Sequence, residues 1–205
     1  MTATRVVLAT GHMVDLPDRP CPRFPADQVP RVAAEVRDAL ATWQVGPDST
    51  VICGGARGAD LIVAEEGQAR GARVVLFLAL PREEFIRRSV DVPGTDWAAR
   101  FERVAGPAEV RVLGGDDGGR PDDVFARANA WMVDVARSID PHLHAIVVWN
   151  GRRGDGSGGT ADMVRLLGLD TSDPRMRVID PTPGRRRGAS GPAVGARRDT
   201  AAPDP

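Results

Sequence analysis

Short unbroken apolar runs alternate along this chain with stretches in which apolar residues recur at helical spacing. "RVVLAT" (5–10), "STVIC" (49–53), "ARVVLFLAL" (72–80), "AEVRVLG", "LHAIVVWN" and "RMRVI" read as six strands. Between the first two, Val32, Val36, Ala39, Leu40 and Trp43 fall on one face of a helix running from Val29 or Pro30 to about Trp43. "ADLIVAEEGQARG" predicts a second helix closing at Gly71, and "REEFIRRSV" and "DWAARFERVAG" predict two short ones. "DDVFARANAWMVDVARSI" predicts a long helix with Val124, Ala128, Trp131 or Met132 and Val135 on one side. A last helix runs from about Thr160 to Leu167. Strands that are apolar throughout, rather than alternating, belong to parallel sheets covered on both faces. With right-handed crossovers the expected fold class is α/β: a Rossmann-like, doubly wound, mostly parallel sheet with helices on both faces.

Composition narrows the picture in three ways. All 27 basic residues are arginine, so neither a lysine Schiff base nor a Walker-type phosphate lysine is available. The two cysteines, Cys21 and Cys53, make no disulfide framework and no metal-ligand spacing. The opening "MTATRVVLATGH" lacks the pattern of a secretory signal, and no apolar run reaches membrane-spanning length, so the expected location is cytoplasmic, with no membrane partner. "PTPGRRRGASGPAVGARRDTAAPDP" holds almost nothing that packs. The expected organisation is one domain over 1–181 and a disordered, Arg/Gly/Pro-rich tail or linker over 182–205. Nonspecific contact of that tail with nucleic acid is a minor alternative.

In a doubly wound sheet, ligands bind beyond the carboxyl ends of the strands. Three segments fall there: "TGHMVD", "CGGARGAD" and "WNGRRGDGSGGTAD". In the second, Gly54, Gly55 and Ala56 offer bare amides, Arg57 a planar fork for a phosphate or carboxylate, and Gly58 close approach at a helix start. Asp60 either caps free amides or accepts from a ribose hydroxyl. The plain alternative is a glycine-rich turn with a surface arginine, since the string is neither GxGxxG nor GxxxxGK[ST]. In the third, Gly158 and Gly159 keep the backbone open, Thr160 offers an amide and a hydroxyl, and Asp162 steadies the first helical turn. Trp149 either stacks on a base or is core, and Asn150 can read a base edge. Gly11 and His12 end the first strand, where His12 contacts phosphate or ribose or makes a structural hydrogen bond.

Arg152 and Arg153 either add positive field over the ligand or belong to a solvated loop. Glu66 is a weak candidate for a catalytic carboxylate, two turns into its helix. His142 and His144 flank the fifth strand's entrance, on the opposite edge, with no third ligand to make a metal site. Cys53 ends a buried strand with no histidine partner, and there is no GxSxG elbow. The residues thus point to a nucleotide or phosphorylated ligand, with no nucleophile.

These three motifs, in this order, resemble the SLOG superfamily, the Rossmann-like group that includes the LOG phosphoribohydrolases and DprA. "GGARGAD" followed by "AEE" looks like the first glycine-rich motif of its YspA- and YpsA-like branches. "GSGGTADMV" looks like the second, and "TGH" resembles their opening motif. The resemblance implies a nucleotide or nucleotide-derived ligand: a nucleoside monophosphate, an ADP-ribose-like molecule or an NAD-derived one. It also implies a homodimer and attachment to a larger effector protein or domain, with nucleic acid an unlikely partner. LOG enzymes carry a glutamate three residues beyond the threonine of their motif; here that position is Met163, with Asp162 one residue short. The resemblance therefore favours binding or sensing, with N-glycosidic hydrolysis of a nucleoside 5'-monophosphate as the alternative.

Overall fold

A computed structural model describes residues 5–114, 123–152 and 158–182. Six strands, β1 (Arg5–Gly11), β2 (Ser49–Cys53), β3 (Arg73–Leu78), β4 (Glu109–Val112), β5 (His144–Val148) and β6 (Met176–Ile179), form one sheet in the order β4-β3-β2-β1-β5-β6. Every pairing is parallel. The helices are α1 (Val29–Thr42), α2 (Ala59–Ala69), α3 (Arg82–Phe85), α4 (Trp97–Ala105), α5 (Val124–Ile139) and α6 (Thr160–Leu167). The fold is the Rossmann-like α/β arrangement that the apolar pattern predicts.

Side-chain alternation divides the core between the two faces of the sheet. Val7, Ala9, Val51, Cys53, Leu76 and Val148 pack toward α1, α2 and α4, against Val36, Leu40, Leu61 and Phe101. Their strand neighbours Val6, Leu8, Ile52, Val75, Phe77 and Val147 pack toward α5 and α6, against Met132, Val133, Ala136, Met163 and Leu167. Each fully buried side chain of this size stabilises the fold by about 1.5–3 kcal/mol relative to exposure. On α5 the register resolves in favour of Met132, with Trp131 half-buried across the ring of Phe77. Among the described residues, no helix is long and apolar enough to cross a membrane.

Two features position the site. First, β1 leads into β2 on one side, while β5 lies on its other side, so the sheet order reverses between β1 and β5. At such a switch point, loops leaving adjacent strands part and leave a crevice. Second, "REEFIRRSV" is not one regular helix. A four-residue α3 passes into a π-helical turn over Ile86–Val90. The tail beyond Thr182 and residues 153–157 of the third loop, Arg153 among them, lie outside the described residues.

Candidate functional site

At the carboxyl edge, a cleft of about 400 Å³ opens over β1, β2 and the starts of α5 and α6. That size suits a small ligand. Thr10, Gly11, His12 and Met13 line it from the β1 loop, Gly54, Ala56 and Asp60 from the β2 loop, and Gly158, Gly159 and Thr160 from the start of α6. All three sequence segments therefore contribute to one cavity.

The β1 loop is fastened at both ends of its turn. The His12 amide donates to the Val148 carbonyl at 2.8 Å, continuing the β1–β5 ladder beyond Gly11. The His12 carbonyl accepts from the Ala59 amide at 3.2 Å and so caps the start of α2. Gly58, directly before α2, has φ +95, and a Cβ there would stand 2.7 Å from the Val14 nitrogen and 2.8 Å from the His12 carbonyl oxygen. Only glycine allows the β1 and β2 loops to close on each other here.

His12 and Asn150 meet across the switch point, both buried, with Nε2 3.0 Å from Oδ1. Oδ1 also accepts from the Arg152 backbone amide at 3.1 Å, so it is the oxygen, and Nε2 of His12 carries the proton. Burial lowers the His12 pKa, the bond to Asn150 opposes that shift, and Arg23 adds to it. The imidazole is therefore neutral at physiological pH.

Asp60 is half-buried in the first turn of α2, and its Oδ2 accepts from the Ala56 amide at 3.2 Å. Burial pushes its carboxyl up to about 7, against the opposing pull of the Ala56, Gly54 and Gly55 amides. Of the two roles open to it in the sequence, capping of loop amides is the one the geometry displays. The second glycine loop is tied down similarly. Asp162 Oδ2 accepts from the Gly158 amide at 2.7 Å and its other oxygen pairs with Arg165, while Asn129 Nδ2 donates to the Gly158 carbonyl at 2.7 Å. Gly158 (φ +76) passes so close to α5 that a Cβ would lie 2.5 Å from the Ala126 nitrogen.

Other candidates stand outside the cleft lining. Arg57 is only 7% exposed; its Nε donates to the Val14 carbonyl at 3.1 Å and its amide to the Ser89 carbonyl at 3.0 Å. Its guanidinium braces the β1 loop from behind. Gly55 faces Leu78 and Phe101 of the core. Trp149 packs at the edge of the α5–α6 core and donates from Nε1 to the Arg152 carbonyl at 2.7 Å. Glu66 is engaged with Arg37, and Glu65 with Arg100. His144 lies against the ring of Trp43, at the amino end of β5. Cys53 is fully buried, and desolvation holds its thiol protonated. Among the described residues, no cluster of His, Cys, Asp and Glu could hold a metal.

The structure adds Arg23, Phe85, Arg88, Ser89, Phe125 and Asn129 to the cleft, which the sequence did not single out, and Ala128 and Met132, which it placed only on the apolar side of the long helix. A general signal for several of them existed. The segment after β3 leaves the carboxyl edge just as those after β1, β2 and β5 do. Helices of a parallel sheet run antiparallel to its strands, which brings the first turns of α5 to that same edge.

No family model matches the chain, and no curated protein matches it. Among solved structures, the Moco carrier protein from Chlamydomonas reinhardtii aligns over 85% of this chain and 88% of its own, at 13% identity and a TM-score of 0.35. A likeness that weak carries no functional argument.

Proposed function

We propose that the cleft binds a nucleotide or nucleotide-derived ligand, such as a nucleoside monophosphate, an ADP-ribose-like molecule or an NAD-derived one, and that the protein acts as a binding or sensing module. One observation carries this reading: three separate glycine-containing segments converge on a single cavity at the point where the strand order reverses. Backbone amides at the start of α6 and a cationic wall suit phosphate. The motif resemblance to the SLOG superfamily, nearest its YspA- and YpsA-like branches, points the same way.

The reading excludes turnover of the LOG kind through α6. Met163, where those enzymes carry glutamate, is wholly buried in the core, and Asp162 is occupied with Gly158 and Arg165. One observation favours the alternative, phosphoribohydrolase reading. Asp60 lines the cleft with a carboxyl near pKa 7, a value suited to general acid–base work.

Mass spectrometry of the purified chain, incubated with pooled nucleoside monophosphates, NAD and ADP-ribose, separates the readings. Retention of an intact nucleotide supports binding without turnover. Released base with ribose phosphate supports the hydrolase. No retention and no product would defeat both.

A further inference from the structure

We infer that the cleft recognises its ligand through the sugar: Nδ1 of His12 accepts a hydrogen bond from a ribose hydroxyl, and His12 does not hold phosphate. This inference rests on the nucleotide-binding reading and specifies which part of the ligand meets the end of β1.

The first observation is which ring nitrogen is open. Nε2 faces Asn150 Oδ1, which is identified as the oxygen by its second donor, the Arg152 amide. A neutral imidazole with its proton on Nε2 carries a bare lone pair on Nδ1, which can only accept. Nδ1 has no hydrogen-bond partner among the described residues, yet it is not closed off from solvent. His12 is only 6% exposed and lines the cleft, so the cleft is where Nδ1 is reached.

The second is the chemistry of that lone pair. A phosphate dianion brings oxygens and no proton, so it would meet Nδ1 lone pair against lone pair. The one proton of the neutral ring is already committed to Asn150. A hydroxyl brings the hydrogen that Nδ1 requires.

The third is the neighbourhood. Thr10 pairs in register with Val147, which packs toward α5 and α6, so Thr10 projects to that side of the sheet. The start of α6 lies on the same side, with Gly159 and Thr160 in the lining. Ser89, on the π-helical turn, is 4% exposed and lines the cleft as well. Neither the Thr10 nor the Ser89 hydroxyl has a partner among the described residues, and neither is closed off from solvent. The cavity thus presents one obligate acceptor and two neutral hydroxyls beside a helix start, a lining that suits a polyol joined to an anion. In a nucleoside 5'-phosphate the ribose lies between phosphate and base. A phosphate on the first amides of α6 therefore brings the ribose, ahead of the base, to the remaining polar groups of this one cavity. The recognised feature is the 2',3'-hydroxyl edge of a ribonucleotide.

Calorimetry on the full chain tests this for wild type, His12→Ala and His12→Phe. The probes are 5'-AMP and ADP-ribose, each beside the analogue whose adenosine lacks both the 2'- and 3'-hydroxyls, together with 5'-IMP. Wild type should bind the ribose form about tenfold more tightly than the dideoxy form, the strength of one hydrogen bond to a buried acceptor. Both variants keep the backbone groups that fasten the β1 loop, and Asn150 Oδ1 keeps the Arg152 amide. Each should bind ribose and dideoxy forms alike, at about the affinity that wild type has for the dideoxy form. A merely structural role for His12 would weaken both forms together and preserve their ratio. Circular dichroism confirms folding, and the wild-type ratio decides by itself where a variant does not fold. If wild type binds the dideoxy analogues as tightly as their parents, or the variants keep the ribose preference, the sugar contact is wrong and nucleotide binding stands. The same holds if wild type prefers 5'-AMP to 5'-IMP and the His12 variants erase that preference instead, because the adenine amine is then the donor. If wild type binds none of the probes, both readings fail.

Discussion

Nε2 of His12 donates to Oδ1 of Asn150 at 3.0 Å, joining the loops that leave β1 and β5 at the point where the sheet changes direction. The bond ties together the two strands that part there; His12 lines the cleft and Asn150 does not. It also fixes a proton on Nε2 of the imidazole, which burial, not this bond, keeps neutral, and whose ring lines the site.

Removing the amide should register in the imidazole itself. In Asn150→Ala, burial acts on His12 without the opposing hydrogen bond, so its pKa should fall further below 6.5 than in wild type. Stability should drop by about 1 kcal/mol for one buried hydrogen bond. NMR titration of the histidine ring checks the first expectation and urea unfolding the second. An upward shift would mean that the bond does not stabilise the imidazolium. Because the folded pKa is depressed, the contribution of His12 to stability is present above about 6.5 and is lost as pH falls through the folded value.

Asp60 gives the opposite slope. Its folded pKa is raised from 3.8 to about 7, so the folded chain holds a proton that the unfolded chain releases. Its linkage contribution is full below about 3.8 and is lost as pH rises to about 7. Asp60→Asn keeps an oxygen for the Ala56 amide and removes the titration. Between pH 4 and 7 the stability of the variant relative to wild type should therefore climb by a few kcal/mol, a shift of this size being worth about 1.4 kcal/mol per unit. Urea unfolding across that range is the measurement. Parallel curves for the two proteins would place the Asp60 pKa near its ordinary value.

Gly159 lies in extended backbone (φ −79, ψ −179) directly before α6, a conformation open to valine. Gly159→Val should fold with little change in thermal midpoint and lose binding of phosphorylated nucleotides, because the added isopropyl group fills the approach to the first amides of α6. A folded variant with normal affinity would remove the phosphate from that loop.

Truncating Arg57 should act through the fold of the loops rather than through charge in the cleft. Arg57 is buried and braces the loop, with Nε on the Val14 carbonyl. Arg57→Ala should cost about 1–3 kcal/mol of stability by leaving a buried acceptor unpaired. It should weaken charged and uncharged nucleosides to a similar extent. Isothermal calorimetry with 5'-AMP and adenosine, beside a denaturant curve, distinguishes this from a direct phosphate contact, for which 5'-AMP alone would suffer.

Much of the fold was legible because burial leaves a local trace. "STVIC" is apolar at every position because β2 is covered on both faces, and the spacing of Val32, Val36, Ala39 and Leu40 is that of one buried stripe on α1. The glycine loops were legible for a related reason. Gly58 and Gly158 stand where the backbone has positive φ and another segment passes within 3 Å of the missing Cβ. Such positions exclude other residues and mark themselves in the sequence.

The roles of the arginines were not legible. Arg57 sits in the glycine motif and turns behind it, whereas Arg88 sits in an ordinary charged stretch and faces the cleft. Sequence spacing sets which residues leave the carboxyl edge of the sheet. Which way a long side chain turns there depends on acceptors distant along the chain: the Val14 carbonyl for Arg57, and the Phe125 ring for Arg88. By itself the sequence determined a parallel α/β sheet and the edge at which a ligand would meet it, because apolar periodicity and glycine are imposed locally. Only the tertiary structure decided that β1 and β5 adjoin, that His12 meets Asn150, and which arginines face the cleft, because these depend on contacts between segments as many as 138 residues apart.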